Sequence, residues 1–162
     1  MSECVPCMES GIMAEGHPRL RRYSPPTMAT WKRLTEFVVR MPHRAGELAR
    51  LTAQLREADV AMLGFWGPTP GRSADGVHCV PERAEQFRNF SRSADLTVWE
   101  EPCFWITEQF KGGNLVATLD LIAGAGINID LIQAMAFQGQ FGCFVWVADE
   151  DTERLEQLLM KA

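Results

Sequence analysis

The sequence lacks any apolar run approaching the ~18–20 residues that cross a bilayer. Its opening stretch, MSECVPCMESGIMAEGHPRLRR, lacks the apolar segment of a secretory signal. These absences predict a cytoplasmic chain with no membrane partner. Basic residues are not in excess: 16 Lys and Arg face 21 Asp and Glu, for a net charge of −5. Nucleic-acid binding leans on a basic surface that releases counterions, so nucleic acid is not an expected partner. Regular cysteine spacing is also missing. The five cysteines, Cys4, Cys7, Cys79, Cys103 and Cys143, are odd in number and fit a reducing compartment better than a disulfide framework. Nor is there a GxxxxGK phosphate loop, an HExxH pair or a Gly-x-Ser-x-Gly elbow. Without a positioned nucleophile, acid or base, the chain is expected not to be an enzyme, and to carry no cofactor and no metal.

What is present is an ordinary globular composition. The chain has 162 residues, 46% hydrophobic and 23% charged, enough for one domain or two small ones. Residues 1–30 stand apart, with Pro6, Gly11, Gly16, Pro18, Pro25 and Pro26 and no helix or strand period. They read as a disordered N-terminal tail. Cys4-Val-Pro-Cys7 is a CxxC without the preceding strand of a redox site and without the further ligands of a zinc site. It reads as two incidental thiols. Arg19, Arg21 and Arg22 are balanced by Glu3, Glu9 and Glu15 and read as solvated linker. Met28 directly precedes the first patterned segment and is the expected natural start.

The patterned part repeats itself. A shift of 67 residues lays Gly46 on Gly113, Leu48 on Leu115, Leu55 on Ile122, Ala58 on Ala125, Val60 on Ile127 and Met62 on Ile129. In the first copy, alternation and β-branching predict a strand over Leu34–Met41. Three- and four-residue apolar steps predict a helix over Ala45–Glu57. Strands follow at Asp59–Trp66 and Gly76–Val80, then a helix opened by Pro81 and running to Ser93, then a strand at Asp95–Trp99. The second copy predicts a strand at Cys103–Glu108, a helix at Asn114–Ala123 and a strand at Ile127–Phe137. A hairpin turn at Gln138-Gly139-Gln140 leads to a strand at Phe141–Val147 and a helix at Asp149–Lys161. His78 and Cys79 are expected to pack or to lie at an edge, and Trp66, Trp99, Trp105 and Trp146 to pack in the core or between domains.

The expected fold class is therefore α+β, with two ferredoxin-like βαββαβ repeats. Repeat 1 covers residues 31–100 and repeat 2 covers 101–162. The second lacks its closing strand unless another segment supplies it, since an open sheet edge is a liability.

This pattern resembles the tandem ACT-domain proteins, whose modules are small βαββαβ regulatory units that bind amino acids. GGNLVATLDLIAGAGINIDLIQA, beginning at Gly112, is similar to the regulatory half of aspartokinases. VVRMPHRAGELARLTAQLREADVAML, beginning at Val38, resembles a looser form of the family, with Ala45 where a proline is common and His43 near an acidic or amide position. The resemblance implies an amino acid held between two domains, by the first loop and helix start of one and the second strand of the other. It places ligand-binding candidates at His43, Arg44, Ala45, Gly46, Glu47 and Leu48, and at Phe110, Lys111, Gly112, Gly113, Asn114 and Leu115. Asn128, Ile129 and Asp130 complete the set. Asn128 or Asp130 would meet the ligand's amino group and the Gly113–Leu115 amides its carboxylate, a role suited to a helix N-terminus. A homodimer is expected, with a regulated enzyme or transcription regulator as a further partner. The alternative is an ACT scaffold that binds protein and no small ligand.

Overall fold

The computed structural model describes residues 30–42, 44–67 and 76–161. The expectations for Cys4, Cys7, Met28 and His43 fall outside these residues. The chain order is β1 (Thr30–Arg40), α1 (Glu47–Glu57), β2 (Met62–Trp66), β3 (Gly76–Pro81), α2 (Ala84–Ser93), β4 (Val98–Gln109), α3 (Asn114–Gly124), β5 (Leu131–Phe137), β6 (Gln140–Trp146) and α4 (Asp149–Leu159). The six strands form one sheet in the order β2-β3-β1-β4-β6-β5, and every described pairing is antiparallel.

Several expected boundaries are corrected. Strand β2 begins at Met62, not Asp59, and β5 at Leu131, not Ile127. Strand β1 begins at Thr30, not Leu34, because Thr30–Arg33 pair with Phe104–Thr107 of β4. Trp31 packs against Phe104 and Arg33 reaches Glu156 of α4 at 3.0 Å. Pro81 ends a strand rather than starting a helix. Its β1 partner stops at the Phe37–Cys79 pair, so the missing N–H of Pro81 forfeits no bond on that side. The strands expected at Asp95–Trp99 and Cys103–Glu108 are one continuous β4. Pro102 is tolerated inside it because β6 pairs only from Phe104 onward, leaving the other side of Pro102 without a ladder to break. The boundary expected between residues 100 and 101 falls within this strand.

The place expected to be vacant is filled. The first half of β1 lies beside the second half of β4, where a closing strand for β4-β6-β5 belongs. The first half of β4 lies beside the second half of β1 in the same way. Buried side chains follow the exchange. Phe37, Val39, Leu51, Leu55, Phe87 and Phe90 form one cluster, and Val98 packs against it. Phe104, Ile106, Ile122, Val145, Leu155 and Leu159 form another, and Trp31 packs against that one.

Alternation along the strands places both clusters, and all four helices, on one face of the sheet. The opposite face is lined by Trp66, Trp105, Phe144 and Trp146. Trp66 stands on β2, four strands from β6, a flat separation of ~19 Å. Yet its ring lies 5.7 Å from Phe144 and 5.4 Å from Trp146. The sheet is therefore rolled, with helices outside and aromatic side chains inside. Trp99, expected in the core or between domains, shares the face of Trp105 but lies outside this cluster and is 50% exposed.

Close approach explains two glycines in the rolled face. A Cβ on Gly142 would overlap the Trp105 indole, and one on Gly64 would come within 3.0 Å of Phe144. Gly142→Ala should cost about 1–3 kcal/mol in denaturant unfolding, since the indole rests on that backbone. On the outer face Arg88 grips Glu100 through three hydrogen bonds of 2.7–3.0 Å. This pairing holds the Glu100 carboxyl below its usual range. A depressed carboxylate pKa contributes stability above the unfolded-state value, and that contribution is lost as pH falls through the folded-state value. Glu100→Gln should therefore lower the melting temperature slightly at pH 7. The gap to the natural sequence should close in acid, below the range in which free glutamate titrates.

Candidate functional site

Two helices open in the same unusual way. Gly46 precedes α1 at φ 92° and Gly113 precedes α3 at φ 86°, both in the left-handed region that favours glycine. Neither helix start is capped by a side chain. A Cβ on Gly46 would meet nothing within 4 Å, so backbone conformation alone demands glycine there. The starts of α1 and α3 lie 67 residues apart, as do their ends.

The two starts differ in charge. Glu47 stands in the first turn of α1, and the first turns of α2 and α4 also hold acidic residues. The first turn of α3 holds none. Its N-terminal dipole is thus left without a carboxylate of the helix's own. The loop before α3 is held by Asn114, whose Oδ1 accepts from Lys111 N–H at 2.9 Å and whose Nδ2 donates to Gln109 O at 3.1 Å. Asn114 is buried and staples the loop. Phe110, Leu115 and Val116 stand exposed around it.

The predicted site residues do not converge within one copy. Arg44, Ala45, Gly46, Glu47 and Leu48 follow the C-terminal end of β1; Lys111, Gly112, Gly113, Asn114 and Leu115 follow the C-terminal end of β4. These strands are antiparallel, so the loops lie at opposite ends of a ribbon ~34 Å long. Asn128, Ile129 and Asp130 precede β5, beyond the far end of α3, which is ~16 Å long. Asn128 and Asp130 are exposed and engage each other, Nδ2 donating to Oδ1 at 3.4 Å. An open groove of about 490 Å³ lies between the end of α1 and β2, lined by Leu55, Arg56, Asp59, Met62 and Phe65 among others, and it includes none of the predicted residues.

A fully buried pair escaped the sequence reading. Glu36 Oε1 and His78 Nδ1 lie 2.7 Å apart, with both residues at 0% exposure. Trp66 stacks on the imidazole with ring centroids 5.7 Å apart. Glu36 Oε2 and His78 Nε2 have no hydrogen-bond partner among the described residues. The pair joins strands 42 residues apart in sequence, which no local pattern announces. Cys79, next in the chain, points to the helical face, and burial pushes its thiol up to about 12. Cys143 is likewise pushed up to about 12 by burial. Neither is a reactive thiolate at neutral pH. Among the described residues no group of three or more His, Cys, Asp or Glu could hold a metal ion. No described helix is long and apolar enough to cross a membrane.

No family model and no curated protein matches the sequence. Solved structures do match. A Bacteroides thetaiotaomicron protein is similar with a TM-score of 0.66 at 12% identity, over 80% of this chain and 88% of that one. The regulatory subunit of Thermus thermophilus aspartate kinase, in ligand-free form, matches with a TM-score of 0.57 at 13% identity, over 86% of this chain and 99% of that one. Escherichia coli aspartokinase III, crystallised with lysine and aspartate, matches with a TM-score of 0.51 at 16% identity, over 88% of this chain and 34% of that one. At these identities the likeness is one of fold. The fold is ACT-like and resembles that of regulatory aspartate kinase domains.

The Glu36–His78 pair makes a measurable claim. Removing one partner leaves the other buried alone, so His78→Phe or Glu36→Leu singly should cost about 3 kcal/mol. The double variant should recover most of that loss, as a double-mutant cycle of denaturant unfolding would read.

Proposed function

We propose that this chain is a regulatory module that binds a free amino acid and thereby changes its contacts with a second copy or with a regulated enzyme or transcription regulator. It comprises two ACT repeats, residues 31–100 and 101–162, each completed by a strand half of the other, and it has no catalysis, cofactor or metal of its own. The observation that carries this reading is the start of α3, preceded by Gly113 in the left-handed region, with neither a side-chain cap nor an acidic residue in its first turn. Such a start suits a carboxylate. The fold shared with regulatory aspartate kinase domains supports a role in regulation. The lysine and aspartate bound to the E. coli enzyme support an amino acid as ligand class. The ligand carboxylate meets the amides of Gly113–Leu115, and its ammonium group is served by Asn128 or Asp130 from another ACT surface. Asn114 holds the loop in shape.

The ligand acts through differential affinity for two arrangements, since binding shifts only an equilibrium whose states it distinguishes. A scaffold without a small ligand is the second reading, favoured by the exposed apolar side chains of Phe110, Met135 and Phe137.

A melting screen against the twenty amino acids at millimolar concentration separates the two. A ligand at 100 times its dissociation constant adds ~2.7 kcal/mol, a rise of several degrees at ~2–4 °C per kcal/mol. One amino acid, or a related pair, should raise the midpoint. In Leu115→Glu the rise should vanish while the unliganded midpoint holds or increases, because an acid there favours the helix dipole and repels a carboxylate. A flat screen supports the scaffold. An undiminished response in Leu115→Glu removes the carboxylate from α3.

A further inference from the structure

Edge strand β2 is lightly held. None of its five residues is buried, whereas all six of β3 are. Its ladder to β3 is broken by a bulge between Met62 and Gly64. Its last residue nevertheless reaches far. Trp66 crosses the rolled face to Phe144 and Trp146 of β6, and its ring lies flat on His78, the two planes 10° apart. Gly64 makes room for the crossing: a Cβ there would stand 2.6 Å from the Trp66 ring and 3.0 Å from that of Phe144. One side chain thus ties the edge of the first half to the sheet of the second.

That tie carries a standing cost. Trp66 Nε1, Glu36 Oε2 and His78 Nε2 are all buried, and none has a hydrogen-bond partner among the described residues. A buried donor or acceptor left unpaired costs roughly a factor of ten in an equilibrium, or more, against the same group in water. Aromatic burial favours the closed roll, and three orphaned groups oppose it. Opposed terms of this kind bring a local opening within reach of the native state.

We propose that Trp66 is a latch: β2 swings away from the roll as a unit while the rest of the sheet stays folded, and closed and open forms interconvert in the native protein. Opening gives water access to Trp66 Nε1, Glu36 Oε2 and His78 Nε2, and bares Phe144 and Trp146 on β6. The β1–β4 ribbon survives it, because neither strand pairs with β2. The Glu36–His78 bond survives as well, because β1 and β3 remain paired. A closed and an open roll are also two arrangements between which a ligand can choose. That link rests on the amino-acid reading above; the latch does not.

Amide hydrogen exchange of the full chain, resolved by residue in low urea, reads the latch without any ligand. The protected amides of Met62–Trp66 should exchange through an opening with a smaller urea dependence than those of β1 and β4, since it exposes little surface. Gly64→Ala drives the Trp66 and Phe144 rings apart and should speed that opening roughly tenfold or more, with β1 and β4 less affected. The double variant Glu36→Leu, His78→Phe removes two of the three orphans and keeps a ring beneath Trp66. It should slow the opening roughly tenfold or more, an effect that plain packing of Trp66 does not produce. Exchange of β2 only at the urea dependence of β1 and β4 overturns the latch, as does a double variant in which the opening is not slowed. An amino acid that raises the melting midpoint but leaves the opening unchanged keeps the latch and removes its link to the ligand.

Discussion

The structure depends on one ribbon, the ten-pair antiparallel alignment of β1 with β4. Each strand is twice as long as either half of the molecule requires. Trp31, near the start of β1, packs on the α3–α4 core, and Phe37 and Val39, near its end, lie in the α1–α2 core; β4 divides its service in the opposite order. Backbone hydrogen bonding thus does what a linker does in most two-unit chains. It also removes two open edges from the middle of the sheet, leaving β2 and β5 at its limits among the described residues.

The rolled face follows from the same ribbon. Six strands of twisted sheet with all four helices on one side leave the other side in need of cover. The chain covers it by curling until β2 meets β6, with Trp66, Trp105, Phe144 and Trp146 filling the interior. Glycine at Gly64 and Gly142 makes room for the rings. The Glu36–His78 pair sits beneath this aromatic layer, buried more deeply than most pairs of ionisable side chains.

Local pattern carried much of this into the sequence. The shift of 67 residues reproduces the starts and ends of α1 and α3, and the Gln138-Gly139 turn between β5 and β6 is marked by its residues, both at positive φ. What escaped was set by distant partners. TWKR before Leu34 shows no alternation of its own, and becomes strand because Phe104–Thr107 lie alongside. Residues 100–102, between two expected strands, continue a single strand, since Pro102 has no β6 residue opposite it. At the candidate site, Gly46 and Gly113 were legible because left-handed backbone leaves a residue-type mark. The stapling role of Asn114 and the coupling of Glu36 to His78 were not, since each depends on an atom placed by tertiary structure.

The shared ribbon has a consequence for how the molecule comes apart. A duplicated chain with a linker between its copies can lose one copy and keep the other. Here a cut between residues 100 and 101 severs a strand that both cores rely on, and the loss of either half of β1 strips a neighbour from β4. The two halves therefore constitute a single cooperative unit, and neither is a module that can be excised, exchanged or unfolded by itself.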